Sequence, residues 1–258
     1  MKILPEAARR DVLARYRGRP IEDLGYATVR DFCDSADFLP QICGLDGDLK
    51  NVQRPWMVKA VLGRVPPGSR ILEIGAGQPV VAAALQELGY EVTVVDPYEG
   101  AGNGPTAYEE YVRAFPQVRI VRAEFARNVP ALGNETFDAI YSISVLEHIP
   151  HDRLPGLFEG IGLFLGPRGQ SIHCVDHVLD GAGAQYHEEG LQMVLSEQSA
   201  IDGSPSRDAP ELLRRIHADL ETFYLSPQGH HLWRGGKPYD QFPFRKVVSI
   251  QTCARSSR

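Results

Sequence analysis

Only four cysteines, Cys33, Cys43, Cys174 and Cys253, occur in the chain, and none belongs to a Cys-x-x-Cys pair. Such scatter argues against a zinc site or a disulfide framework and suits reduced thiols. Cys174 and Cys253 fall in expected strands, where burial and packing are their role. No block of lysine or arginine is present and the formal net charge is −6, so nucleic acid is a poor first partner. No apolar run approaches a membrane span, and residues 1–11 lack the apolar core of a signal peptide. The expectation is a cytoplasmic protein with no membrane or nucleic-acid partner and no resident metal. Internal repeats and low-complexity tracts are also missing, and the oligomeric state is not legible.

What is present is a strand-turn-helix unit with a glycine signature. Ile71-Leu72-Glu73-Ile74 runs into Gly75-Ala76-Gly77, and 78–88 follows with helix formers behind Pro79. Glycines there let the chain turn sharply and let a ligand approach the main chain. A dinucleotide fingerprint needs a third glycine three positions after Gly77, and that position is Val80. Glu73, two residues before the turn, is also the wrong charge beside a pyrophosphate, which is held by amide groups and the positive end of a helix. A ligand bearing an ammonium and a sulfonium tolerates or favours an acidic wall. Asp96 ends the next apolar run, nineteen positions after Gly77, where a carboxylate can take a ribose diol. A glycine turn of purely structural use is the plain alternative, which Glu73 and Asp96 together disfavour.

These residues resemble the class I S-adenosylmethionine-dependent methyltransferases of small-molecule type, and the resemblance covers about residues 54–177. Residues 118–121 resemble the third strand of that family, with Glu124 and Phe125 where it places an acidic residue and an adenine contact. Phe137-Asp138 and Leu146-Glu147-His148-Ile149 bracket a segment similar to its fourth strand and following loop. Pro79 departs from a glycine often found there. The resemblance implies a Rossmann-like, doubly wound, mostly parallel seven-stranded sheet with an antiparallel C-terminal strand. It also implies S-adenosyl-L-methionine as cofactor, with S-adenosyl-L-homocysteine as product. The cofactor set it implies is Glu73, Gly75, Ala76, Gly77, Asp96, Pro97, Glu124, Phe125, Ser142 and Ile143.

A chain of 258 residues with 43% apolar content holds one α/β domain with additions. Residues 1–53 read as an N-terminal helical cap, with helices over 5–16 and near 28–36 and a turn at Asp46-Gly47-Asp48. The cap either shapes the acceptor pocket or only covers the sheet. Residues 54–258 form the methyltransferase domain: a helix over 55–65, one over 154–165, the fifth strand within 169–176 and a late strand over 245–253. A long insertion after the fifth strand, about 178–244, contains a helix over 209–220 and reads as acceptor-binding, because loops at the carboxyl ends of parallel strands carry sites. Its stretch His230-His231-Leu232-Trp233-Arg234-Gly235-Gly236, with Tyr239, suits stacking on a sugar under a mobile lid, or is an ordinary hairpin.

Methyl transfer to a hydroxyl needs a base that removes its proton. His148 after the fourth strand and His177 after the fifth are the candidates, with Asp176 orienting His177 or binding the acceptor; histidine titrates near neutrality. His148 also admits a loop-orienting role, and Glu147 a role at a helix start. His173 and His177, about 13 Å apart along one strand, cannot share a metal. The function expected is methylation of a small-molecule acceptor, a hydroxyl of a sugar, glycan unit or other polar metabolite. The absence of an Asn-Pro-Pro-Tyr tetrad after the fourth strand, where Ser144-Val145-Leu146-Glu147 stands, argues against DNA-base methylation. An N-methyltransferase, a non-catalytic S-adenosylmethionine sensor or scaffold, and an NAD oxidoreductase are the alternatives.

Overall fold

The central strand β2 (Arg70–Ile74) buries successive residues on both of its faces, as a parallel strand covered by helices on both sides requires. The computed structural model describes residues 1–100, 106–181, 183–228 and 247–258. Around β2 lie β1 (Leu24–Tyr26), β3 (Glu91–Asp96), β4 (Arg119–Arg122), β5 (Phe137–Ile143), β6 (Leu165–Val178) and β7 (Val247–Arg255). The sheet order is β1-β7-β6-β5-β2-β3-β4. From β2 to β6 the pairing is parallel, whereas β7 runs antiparallel to both β6 and β1.

Helices cover both faces. On one side α1 (Glu6–Tyr16), α3 (Lys50–Arg64) and α4 (Val80–Glu87) enclose Ile71, Val92, Val94, Tyr141 and Cys174. On the other, α6 (Leu154–Phe164), α7 (Ala184–Asp202) and α8 (Ala209–Ala218) enclose Leu72, Ile74, Ile140, Val175 and Val248. In α4, Val80 to Leu85 are all buried; each fully buried large aliphatic contributes roughly 1.5–3 kcal/mol, so packing rather than propensity holds this short helix. The remaining helices are α2 (Val29–Phe38), started by a capping box between Thr28 and Asp31, and α5 (Tyr108–Ala114). The strands after β2 go one way to β3 and β4, then jump to β5 on its other side. That reversal opens a crevice at the carboxyl ends of β2 and β5.

Two expectations change. The N-terminal segment is not a separate cap: β1 is an edge strand of the sheet, and the expected boundary at 53/54 falls inside α3. The insertion after β6 contains a nineteen-residue helix, α7, that the sequence pattern did not suggest. The aromatic and histidine stretch from His230 to Tyr239 lies outside the described residues. Among those described, no helix is long and apolar enough to cross a membrane.

Candidate active site

The chain leaves β2 through two residues in the left-handed region, Gly75 at φ +66° and Gly77 at φ +55°. At Gly75 the requirement is steric as well as conformational. A Cβ there would lie 2.7 Å from Val145 Cγ2, while the Gly75 amide donates to Val95 O at 2.9 Å. Asp96 clasps the turn from β3. Its Oδ2 accepts from the Gly77 amide at 2.9 Å, its Oδ1 from the Tyr98 amide at 2.7 Å, and Tyr98 Oη donates to Gly77 O at 3.0 Å. The second acidic residue therefore also has a structural duty.

This turn forms one wall of a cavity of about 1230 Å³ at the crevice. Glu73, Gly75, Ala76, Gly77, Asp96, Pro97, Glu124, Phe125 and Ile143 all line it. Glu73 is buried, its Oε2 accepting from Tyr141 Oη at 2.8 Å. Burial pushes its carboxyl up to about 7, against the Tyr141 hydrogen bond and the positive charge of Arg54. Glu124 pairs with Arg153, which lines the same wall, and Phe125 packs against Phe164 in the core beneath. Ser142 is the exception. Its side chain points under α6 and bonds His173 Nδ1 at 2.7 Å, because it shares the face of Ile140 while Tyr141 and Ile143 face the other way.

Ser144 and His148 line the same cavity. His148, in a 3₁₀ turn after β5, is half-exposed, with Nε2 4.0 Å from Glu147 Oε1. Burial first, and then the negative charge of Asp176, raises the Glu147 carboxyl well above its ordinary value. Ser144 sits at φ +51° and its Oγ lies 2.9 Å from Gln53 Oε1 and 3.0 Å from Asp176 Oδ1; Gln53 Nε2 donates to the same Oδ1 at 2.6 Å. Asp176 is thus set one layer behind the wall, holding Ser144.

His177 is a correction. Residues alternate faces along β6, so if Asp176 turns toward α3, His177 turns toward α7, where it is buried beside the His187 ring at a centroid distance of 6.0 Å. It does not line the cavity. Burial lowers it to about 4, a neutral packed ring. The insertion shifts likewise: none of its described residues lines the large cavity, and Tyr186, His187 and Gly190 instead border a small void with Glu147 and His151.

Several wall residues were missed by sequence reasoning. Lys50 and Arg54 project from the first turns of α3, and Gln53 between them reaches Asp176. Pro55 looked like a helix start but lies inside α3, whose N-cap, Leu49, offers no side-chain cap. The only signal available was the polar spacing of Lys50, Gln53 and Arg54 before an apolar run.

No curated protein matches the sequence. Among solved structures, a glycopeptide N-methyltransferase complexed with sinefungin shares 14% identity over 48% of this chain, which spans 54% of that protein's length, at a TM-score of 0.41. The 1,6-didemethyltoxoflavin-N1-methyltransferase of Burkholderia thailandensis shares 19% over 89% of this chain and 87% of its own, at 0.47. A TehB-like methyltransferase of Corynebacterium glutamicum shares 20% over 87% and 97%, at 0.42. More telling is a family model described as a methyltransferase domain, which matches residues 53–193. That match takes in more than half of the sequence, with the glycine turn, Asp96 and His148, and on it the chain belongs to the methyltransferase-domain family, enzymes that use S-adenosylmethionine.

Proposed function

We propose that the enzyme methylates a hydroxyl of a small polar metabolite, with His148 as general base and the Gly75–Gly77 wall holding the cofactor. The observation that carries this reading is that His148 is the one histidine among the described residues lining the cavity that the glycine turn also lines. The wall fits an adenosyl ligand. A Cβ-free turn admits close approach, Asp96 keeps lone pairs beyond its two amide bonds for a ribose diol, and Arg54 and Lys50 are cations for an amino-acid carboxylate.

Bound S-adenosylmethionine supplies an electrophilic methyl group on a good leaving group. The chain's own work is then mostly placement. Ser144, fixed by Gln53 and Asp176, offers an oxygen at the acceptor end, and His148 Nε2 takes the hydroxyl proton as the new carbon–oxygen bond forms.

The test has two stages. Calorimetry with S-adenosylmethionine, S-adenosylhomocysteine and NAD checks the cofactor site; binding of NAD alone would refute it. A screen of sugars, nucleotide sugars, phenols and amines for release of S-adenosylhomocysteine checks the acceptor. Turnover confined to amines would refute the hydroxyl assignment. Binding without any turnover would favour a sensor.

A further inference from the structure

Two of the carboxylates that line the cavity, Glu73 and Asp96, are held very differently. Asp96 accepts two backbone amides, at 2.9 and 2.7 Å, which hold its side chain in place. Glu73, 3% exposed, accepts one phenolic hydrogen bond, from Tyr141 of β5. The other charged or titratable groups set against it are Arg54 of α3, Asp96 at the end of β3 and Tyr98 in the loop after it, with Lys50 on the same cavity wall. Arg54 favours the ionised form; Asp96 and burial disfavour it.

We propose that Glu73 is the residue by which the site tells the cofactor from its product, giving up a proton when a cationic adenosyl ligand enters and holding the sulfonium form more tightly than the neutral thioether. This inference rests on the cofactor reading above. Its physical basis is charge arithmetic in a water-poor wall. With the ligand absent, Glu73 and Asp96 repel, and the less solvated of the two takes the proton. The arriving ammonium and sulfonium charges favour the carboxylate, so the O–H bond of Glu73 breaks and its proton passes to solvent. The methyl donor carries both charges into the site, whereas the product has lost the sulfonium charge. The ionised Glu73 therefore discriminates, and the neutral one does not. The position of its titration, near 7, puts this discrimination in the range where cells work.

The experiment is titration calorimetry of the full chain with S-adenosylmethionine and with S-adenosylhomocysteine at pH 6, 7 and 8, in buffers of different ionisation enthalpy. Protonation of the ligands' own amino group, with an ordinary α-amino value, is common to both and drops out of their ratio. Expected are release of a substantial fraction of a proton at pH 7 and a rise of at least about fivefold in the affinity ratio between pH 6 and 8. Glu73→Gln should remove both effects, and Tyr141→Phe should move them to higher pH. A flat ratio in the parent protein, or a pH-dependent ratio that survives in Glu73→Gln, overturns the proposal while leaving the cofactor site intact. Failure of both ligands to bind overturns the cofactor reading and this proposal with it.

Discussion

Replacing Gly75 by alanine tests whether the turn is built as described. The backbone there sits at φ +66°, and holding an L-residue in that region costs about 1–2 kcal/mol. The new Cβ would also meet Val145 Cγ2 at 2.7 Å and Cγ1 at 3.2 Å. Both are methyls of a stiff, branched side chain, so the neighbour cannot swing aside, and overpacking of this kind adds about 1–3 kcal/mol. Together the loss is about 3 kcal/mol, or roughly 6–12 °C in Tm for a chain of this size. Urea and thermal unfolding of Gly75→Ala would measure it. The Val145→Ala background separates the two contributions: it removes the clash and leaves the strain, giving a coupling of about 1–3 kcal/mol. If Gly75→Ala costs less than about 0.5 kcal/mol, the turn does not have this geometry.

Asp96→Ala should weaken S-adenosylhomocysteine binding by on the order of 1.5–3 kcal/mol and lower stability as well, since the amides of Gly77 and Tyr98 lose their acceptor; unchanged affinity by calorimetry would remove the ribose role. With an acceptor from the screen, His148→Ala should lower kcat by about 10²–10⁴-fold while cofactor affinity stays put, and parental turnover would end its role as base. His177 makes an acid-stability prediction. Its folded value is lowered to about 4 from 6.5, so the unfolded chain binds the proton first and stability is lost as pH falls from 6.5 toward 4, by about 3 kcal/mol. Unfolding of the parent against His177→Leu at pH 7 and pH 4 should show that difference narrowing by about this amount, and a constant gap would contradict it.

The legible part of the site was the part written in local chemistry. Gly75, Gly77 and Asp96 announce themselves because a sharp turn and a close approach tolerate few residue types, and the structure shows both constraints at once. The facing of β6 was illegible for a definite reason. Helices cover both sides of that strand, so Ile172 and Cys174 are as buried as His173 and Val175, and no alternation revealed that Asp176 and His177 part company. Ser142 was misplaced by the same blindness. Gln53 and Ser144 meet only in the tertiary structure, from α3 and the end of β5, ninety-one positions apart. β1 is a three-residue strand with no pattern to detect, and only its partner β7 defines it.

That short strand matters for how the protein survives in a crowded solution. β7 presents nine residues, nearly all buried, and pairs on its far side with Leu24 to Tyr26 at Thr252, Gln251 and Ile250. Without β1 those backbone groups would form an open edge, the kind that templates pairing between molecules. The residues ahead of the glycine turn therefore act as an edge guard as well as a wall of the cavity. Shortening the chain from its beginning past β1 would open that edge of β7 to strand exchange between molecules.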